Sequence, residues 1–389
     1  MDRKALEREL GGRYGNQLDM AGFFQMLKEP SASYKFYWLE ALVKLVTEGR
    51  EQATFSEIAD EMVASAWYSV VECRIHLSGY VKGEVRDALE RIVGRLREVS
   101  GLSSRASSPA IKQALLEHAG AVRDDKIQLT TMVPYRALAG FLGKGGAVPW
   151  GAPRRFAAFT RQHSREQGPL PYLFGEGSSL EREVLFHPDW AEMIRDNAAA
   201  ILGWIQFEKL RWLQGINIDV PNLVLKLAPP DEGMRKLVRV RKLWDGILAR
   251  CQVQDVFKGG PVSREAYEVD HFVPWSFVMH DEIWNLMPMD ASLNSAKSNK
   301  LPAWEPFFRR FAANQHLLYS QIHANQALGE LFSHCKKDNL HAIWAIEDLY
   351  RSGNSREAFH GILENHLKPV YEAARRQGYE EWSLLAQET

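Results

Sequence analysis

Four side chains between positions 270 and 297 have the types and spacing that phosphodiester hydrolysis needs. The run Tyr267-Glu268-Val269-Asp270-His271-Phe272-Val273-Pro274-Trp275-Ser276-Phe277-Val278 is followed by Trp284-Asn285-Leu286-Met287-Pro288 and then by Asn294-Ser295-Ala296-Lys297-Ser298-Asn299-Lys300-Leu301-Pro302. Such hydrolysis requires an activated water, neutralisation of the charge growing on the phosphate, and stabilisation of the leaving oxygen. Asp270 and the side-chain oxygen of Asn294 are hard oxygen donors suited to Mg²⁺ or Mn²⁺, which keep several waters and take further ligands from substrate phosphate. A neutral His271 can accept a proton from the attacking water near neutral pH. Lys297 lies three residues after Asn294, on the same helical face, where it can reach a phosphate beside the ion. An isolated Asp-His pair is usually a turn or a surface pair, so the assignment rests on all the pieces in order.

The elements that must position these residues follow from the same segment. A short strand ends at Asp270-His271, a return strand contains Trp284-Asn285-Leu286, and Asp290 or Ser292 can cap a helix that ends before Pro302. Strand alternation sends Asp270 and His271 to opposite sides unless a local irregularity such as a bulge turns both toward one mouth. This ββα unit brings Asp270, His271 and Asn294 around one point.

In this order of residues, the segment resembles the HNH (ββα-metal) endonuclease family. It is most similar to the HNH domain of RNA-guided CRISPR effector nucleases and of stand-alone bacterial HNH proteins. The resemblance implies that Asn285 hydrogen-bonds backbone across the loop and holds the strand bearing His271. Asn294 stands where the family name has its last His, which favours a hard ion over zinc. Lys300, the second lysine of the run, is counted with Lys297 as a nucleic-acid contact. The resemblance covers about residues 250 to 305, without the second nuclease domain or arginine-rich bridge of the large effectors, so guide RNA is not implied. By family context it implies a phage-defence or restriction-like setting and a DNA substrate. A ribonuclease or toxin-like nuclease remains the alternative within the chemistry, and a non-catalytic DNA-binding or assembly protein with a decayed HNH unit the alternative outside it. One metal centre per chain cuts one strand, so a double-strand break needs a homo-oligomer, a protein partner or two encounters. His280-Asp281, a second acid–histidine pair in the loop, has no partner at a recognisable spacing and is expected to be exposed. Trp275, Trp284 and Trp304 bracket the motif and are expected to pack rather than stack on bases.

The rest of the 389-residue chain is 46% hydrophobic, with 48 basic and 49 acidic residues and a formal charge of −1. That balance excludes a polycation that coats nucleic acid without discrimination, so contact must come from local patches. Cys73, Cys251 and Cys335 form no CxxC half-site, which points to a reducing, cytoplasmic setting without a zinc ribbon. The charged start Met1 to Leu10 has no apolar stretch of signal or membrane-spanning length after it. The fold class expected is mainly α (α+β), a helical protein carrying the small ββα unit, in five regions: 1–100 helical, 101–187 irregular or mixed, 188–249 helical, 250–305 the HNH unit, 306–389 helical.

Within these regions, Leu39, Leu42, Val43 and Val46 predict a helix over 34–48, and a second one opens at Thr54 or Ser56 after Gly49. A packed hairpin is the commoner outcome for such a pair, with DNA reading the alternative. Val85, Leu89, Ile92, Leu96 and Val99 predict one amphipathic helix. Ser100 to Pro109 reads as a linker, and clusters such as Gly143-Lys144-Gly145-Gly146 and Pro169-Leu170-Pro171 make 126–188 irregular. A helix runs from Pro188-Asp189 towards Leu213, and another from Met234 to Leu248, where Arg235, Arg239 and Lys242 share a face with Lys236 and Arg241 nearby. That basic helix is either a solvated face or a phosphate-contacting patch beside the nuclease motif. Phe307 to Ile322 and Leu340 to Tyr350 predict further helices.

Overall fold

The computed structural model describes residues 3–28, 30, 32–78, 87–142, 148–166, 169–231 and 233–383. The chain is mainly helical, with a few small sheets. No described helix is long and apolar enough to cross a membrane. It forms two compact units, one comprising residues 1–218 with 227–229 and the other 219–226 with 230–389. The boundary expected at Ser100 to Pro109 therefore falls inside the first unit.

In the first unit, the predicted helix over 34–48 is present as Tyr34–Thr47. The next, Phe55–Val71, opens on Thr54, whose hydroxyl accepts from the Glu57 amide while the Glu57 carboxylate takes the Thr54 amide. Between them Gln52–Thr54 is a strand, paired antiparallel to Glu183–Phe186, which in turn pairs with Tyr172–Phe174. The second helix buries Phe55, Ile58, Ala59, Met62, Val63 and Trp67. It is a core helix, so the pair is a packed one rather than a DNA reader. Ala88–Ser100 follows, capped by Asp87, with Leu89, Ile92 and Leu96 buried; Val85 lies outside the described residues. Gly101 closes it at φ 65°, a left-handed position that suits glycine.

The stretch 126–188 is not irregular, as its Gly and Pro clusters suggested. It holds the end of Ala119–Thr130, then Val133–Ala137, Pro153–Glu166 and the two short strands. The helix Val133–Ala137 and the two strands are too brief to carry a visible period. Gly143-Lys144-Gly145-Gly146 lies outside the described residues. The helix from Pro188 breaks at Asn197 into Pro188–Asp196 and Ala198–Ile216. In the core, Lys209 of the latter donates to Glu40 at 2.6 Å, both almost wholly buried.

In the second unit, Tyr267–His271 and Leu286–Asp290 make an antiparallel hairpin in unbroken register, Asp270 opposite Met287 and His271 opposite Leu286. No bulge interrupts it, against the irregularity that sequence reasoning invoked. Asp290 caps the site helix Ala291–Lys297, accepting from the Ser292 amide. That helix stops at Ser298, well short of Pro302. Behind the hairpin runs Trp304–Ala324, where Gln315 donates to the carbonyls of Ile283 and Leu286 and Phe311 stacks on Phe272 at 4.6 Å. Gln326–Asn339 and Arg356–Arg376 complete the helices around it, and Leu301–Pro302 pairs in parallel with Glu381–Trp382. Two expectations need correction. The helix at 234–248 begins only at Val238, so Arg235 and Lys236 precede it outside any helix or strand, and of Leu340 to Tyr350 residues 343–349 are helical, Ala345–Leu349 as a π-helical turn.

Candidate active site

The connection between the two hairpin strands is closed by one side chain. Asn285 is fully buried; its Oδ1 accepts from the Val273 amide at 2.8 Å and its Nδ2 donates to the Val273 carbonyl at 2.9 Å. The Asn285 carbonyl also accepts from the Phe272 amide. Both backbone groups of Val273 are thus satisfied in a dry interior, which fixes the chain immediately after His271. Lys226 braces the same loop by donating to the Phe277 carbonyl, and Asn222 donates to that of Val278.

At the end of the first strand, the Asp270 carboxylate and the His271 ring converge, Oδ1 to Nδ1, at 3.7 Å. The other oxygen, Oδ2, accepts from Lys297 Nζ at 2.8 Å, and Lys297 is buried. Burial alone would raise the Asp270 pKa, but the Lys297 ammonium and the contacts from His271 outweigh it and hold the carboxyl well below the usual range. Lys297 therefore lies on Asp270, rather than standing free for a phosphate as its spacing suggested. One helical turn earlier, Asn294 donates through Nδ2 to Glu268, two residues before Asp270 on the strand. The helix and strand meet in a short ladder, Asn294 on Glu268 and Lys297 on Asp270. Because an ionised carboxylate only accepts, Glu268 fixes which end of the Asn294 amide is nitrogen and turns its oxygen the other way.

His271 is fully buried. Its Nε2 lies 3.2 Å from the His280 carbonyl oxygen and 2.9 Å from Asp281 Oδ1, while its Nδ1 accepts from Arg235 Nη2 at 3.3 Å. Arg235 also sits over the Trp275 ring. The pair His280-Asp281 is thus not the exposed one expected from sequence. Asp281 is buried, accepts from the Lys236 amide, and has its own carbonyl held by Asn339. Burial pushes the Asp281 carboxyl up, and the His271 contact more than reverses it. Burial lowers the His280 imidazole to about 4, so it is neutral near pH 7.

The basic residues divide. Arg235 joins the His271 cluster, whereas Arg239 pairs with Asp338 at 2.7 Å and donates to the His334 carbonyl. Lys242 is exposed and Lys300 half-buried. Trp284 is buried and donates to Glu282, and Trp304 stacks on Phe308 at 4.2 Å. Sequence reasoning missed Asp281 and Glu268. Only strand alternation, two residues back from Asp270, marked Glu268.

Among the described residues, no group of three or more His, Cys, Asp or Glu side chains is placed to hold a metal ion. The donors that fit one are of another composition: an ionised Asp270 and the amide oxygen of Asn294, both hard, completed by water and phosphate as Mg²⁺ accepts.

Residues 257–303 match the family model described as HNH endonuclease. The chain thus carries an HNH-family domain, inside the second unit, and the helices on either side lie outside the match. The chain matches no curated protein and no solved structure.

Proposed function

Starting from an HNH-family domain, whose substrate class is nucleic acid, we propose that this protein is a metal-dependent endonuclease that hydrolyses phosphodiester bonds of DNA, with a role in a phage-defence or restriction-like system. The observation that carries the reading is the meeting of Asp270 and His271 at the strand end, held there by the Asn285 bracket. Asp270 and Asn294 would hold one Mg²⁺ or Mn²⁺, which when bound would polarise the phosphate and stabilise the leaving oxygen. The remaining work falls to the chain's own groups. His271 takes a proton from the attacking water. Arg235 and Lys297 place positive charge beside the scissile phosphate, Lys300 and Lys242 contact the backbone further out, and Arg239 supports the helix carrying Lys242.

The test is supercoiled plasmid, single-stranded DNA and RNA incubated with Mg²⁺, Mn²⁺ or EDTA, using wild type and His271→Ala. Metal-dependent conversion to nicked circles is expected, abolished by EDTA and reduced at least ~100-fold by the substitution. Equal conversion by both proteins, or indifference to EDTA, overturns the mechanism. Cleavage of RNA with DNA left intact would make it a ribonuclease.

A further inference from the structure

We infer that the first unit carries its own nucleic-acid contact: the exposed face of the helix Pro153–Glu166, with Trp150 before it, holds a stretch of unpaired strand, its phosphates on Arg154, Arg155 and Arg136 and a base on the Trp150 ring. The inference rests on the nucleic-acid reading above for the class of occupant and on none of its catalytic assignments.

The charge is concentrated in sequence. Between Asp125 and Glu166 there is no aspartate or glutamate, although 49 of the 389 residues are acidic, and the same stretch holds seven lysines and arginines. A chain of net charge −1 thus sets aside one strongly basic segment, which is the footprint of a polyanion site rather than of an evenly solvated surface. In the fold, Pro153–Glu166 buries Phe156, Ala157, Thr160 and Ser164 and turns Arg154, Arg155, Ala158 and Gln162 outward. The neighbouring helix Val133–Ala137 packs against it, tied by Arg161, which donates to the Tyr135 hydroxyl at 3.4 Å, and it presents the exposed Arg136.

These cations have no partners of their own. Among the described residues no carboxylate pairs with the guanidinium of Arg136, Arg154 or Arg155. Exposed arginines elsewhere in the unit do have acids, Arg13 on Asp196, Arg95 on Asp125 and Arg123 on Glu181. Arg154 and Arg155 also stand in the first turn of their helix, where the macrodipole opposes positive charge and no acid offsets it. Helix stability therefore does not account for them, whereas phosphates would supply the missing negative charge.

Trp150 selects the kind of strand. Of the chain's twelve tryptophans it alone is exposed, at 52%. Its ring leans on the buried Phe156 at 5.1 Å, so it is anchored while much of it stays open to solvent. An open aromatic face beside guanidinium groups suits an unpaired base, which can stack on it, while a duplex keeps its base faces in its own stack. An acidic protein segment would meet the charge but has no comparable use for the ring.

The test is binding by the full-length protein in EDTA, followed by fluorescence anisotropy of a labelled dT strand of about 20 nucleotides and of a duplex of equal length. Arg154→Ala/Arg155→Ala should weaken strand binding ~10-fold and flatten log K against log salt by about 1.4, the share of two phosphates on a single strand. Trp150→Ala should weaken it ~10-fold with the slope unchanged, Trp150→Phe should recover most of that loss, and duplex binding should be untouched by either. Arg13→Ala/Arg123→Ala removes the same charge where acids already answer it, and should leave strand binding within ~2-fold of wild type. Wild-type strand affinity in Arg154→Ala/Arg155→Ala or in Trp150→Ala overturns the inference. So does an equal loss in Arg13→Ala/Arg123→Ala, or an equal loss from Trp150→Ala on the duplex. If the protein ignores the strand and sediments with phosphatidylserine vesicles instead, the face belongs to an anionic membrane surface and the inference falls. His271→Ala should bind the strand as wild type does whatever becomes of cleavage, which separates failure of this contact from failure of the nuclease reading.

Discussion

Lys297 is an ammonium sealed inside the protein against a carboxylate that is also a proposed metal ligand. A buried charge without its partner costs several kcal/mol, so an ion arriving at Asp270 must share that carboxylate with Lys297 or displace it. Lys297→Met should therefore lower the stability of the metal-free protein by about 3 kcal/mol in urea denaturation with EDTA. Mn²⁺ should then raise the midpoint of the variant more than that of wild type. An identical Mn²⁺ response in both would show that lysine and metal do not compete, and cleavage should fall in the variant either way. At this scale the sequence was readable where residues stand in one contiguous run. Asp270, His271, Asn285, Asn294 and Lys297 all announce themselves by order and spacing. Asp281 does not, because its partner is decided by how a loop folds back, and Arg235 was assigned to a helix that starts three residues later.

Helix ends were legible for the same local reason. Thr54 with Glu57, and Asp290 with Ser292, are caps written within four residues of chain. The three-stranded sheet was not, since its strands of three or four residues are too short to show a period and Gln52–Thr54 finds its partner, Glu183–Phe186, far away in sequence. Nor did periodicity reveal that Tyr34–Thr47 and Ala198–Ile216 are cross-linked inside the core by Glu40 and Lys209. Burial opposes the charged form of both partners. The two neighbouring ammonium groups, Lys209 and Lys44, nevertheless bring Glu40 down to about 2, while burial pulls Lys209 down as well. The sign follows from the depressed carboxyl: its stabilisation is present above the ordinary carboxylate range and is lost as pH falls toward 2. Glu40→Gln leaves Lys209 buried and unpaired and should cost about 3–5 kcal/mol near pH 7, with the difference from wild type shrinking in acid. Circular dichroism melts across pH 2 to 7 check this; a constant difference would mean that the pair is not what acid breaks.

For the molecule as a whole, a net charge of −1 leaves any attraction for a polyanion to local basic patches. In the metal-free protein Asp270 is matched by Lys297 and Asp281 faces His271 and Arg235, while the exposed Glu268, hydrogen-bonded by the neutral Asn294 amide, keeps part of the site's negative charge. Duplex DNA should bind in EDTA, seen by fluorescence anisotropy, with log K falling against log salt at a slope of about −2 to −4. Lys242→Ala and Lys300→Ala should each flatten that slope by about one. A slope near −8 would require a phosphate-contacting surface elsewhere. The family match spans only 257–303, and the helices outside it carry no motif that names a task, because packing a core constrains apolar spacing and little else. The Asn285 bracket has a consequence for how such a molecule can change. Since the neck of the loop is tied at Val273, a change within residues 274–284 meets a segment whose Phe277, Val278, Ile283 and Trp284 are buried and whose carbonyls take Asn222, Lys226 and Gln315, while the strand beneath is held separately by Asn285. Asp270 and His271 belong to that strand, Asp281 to the segment.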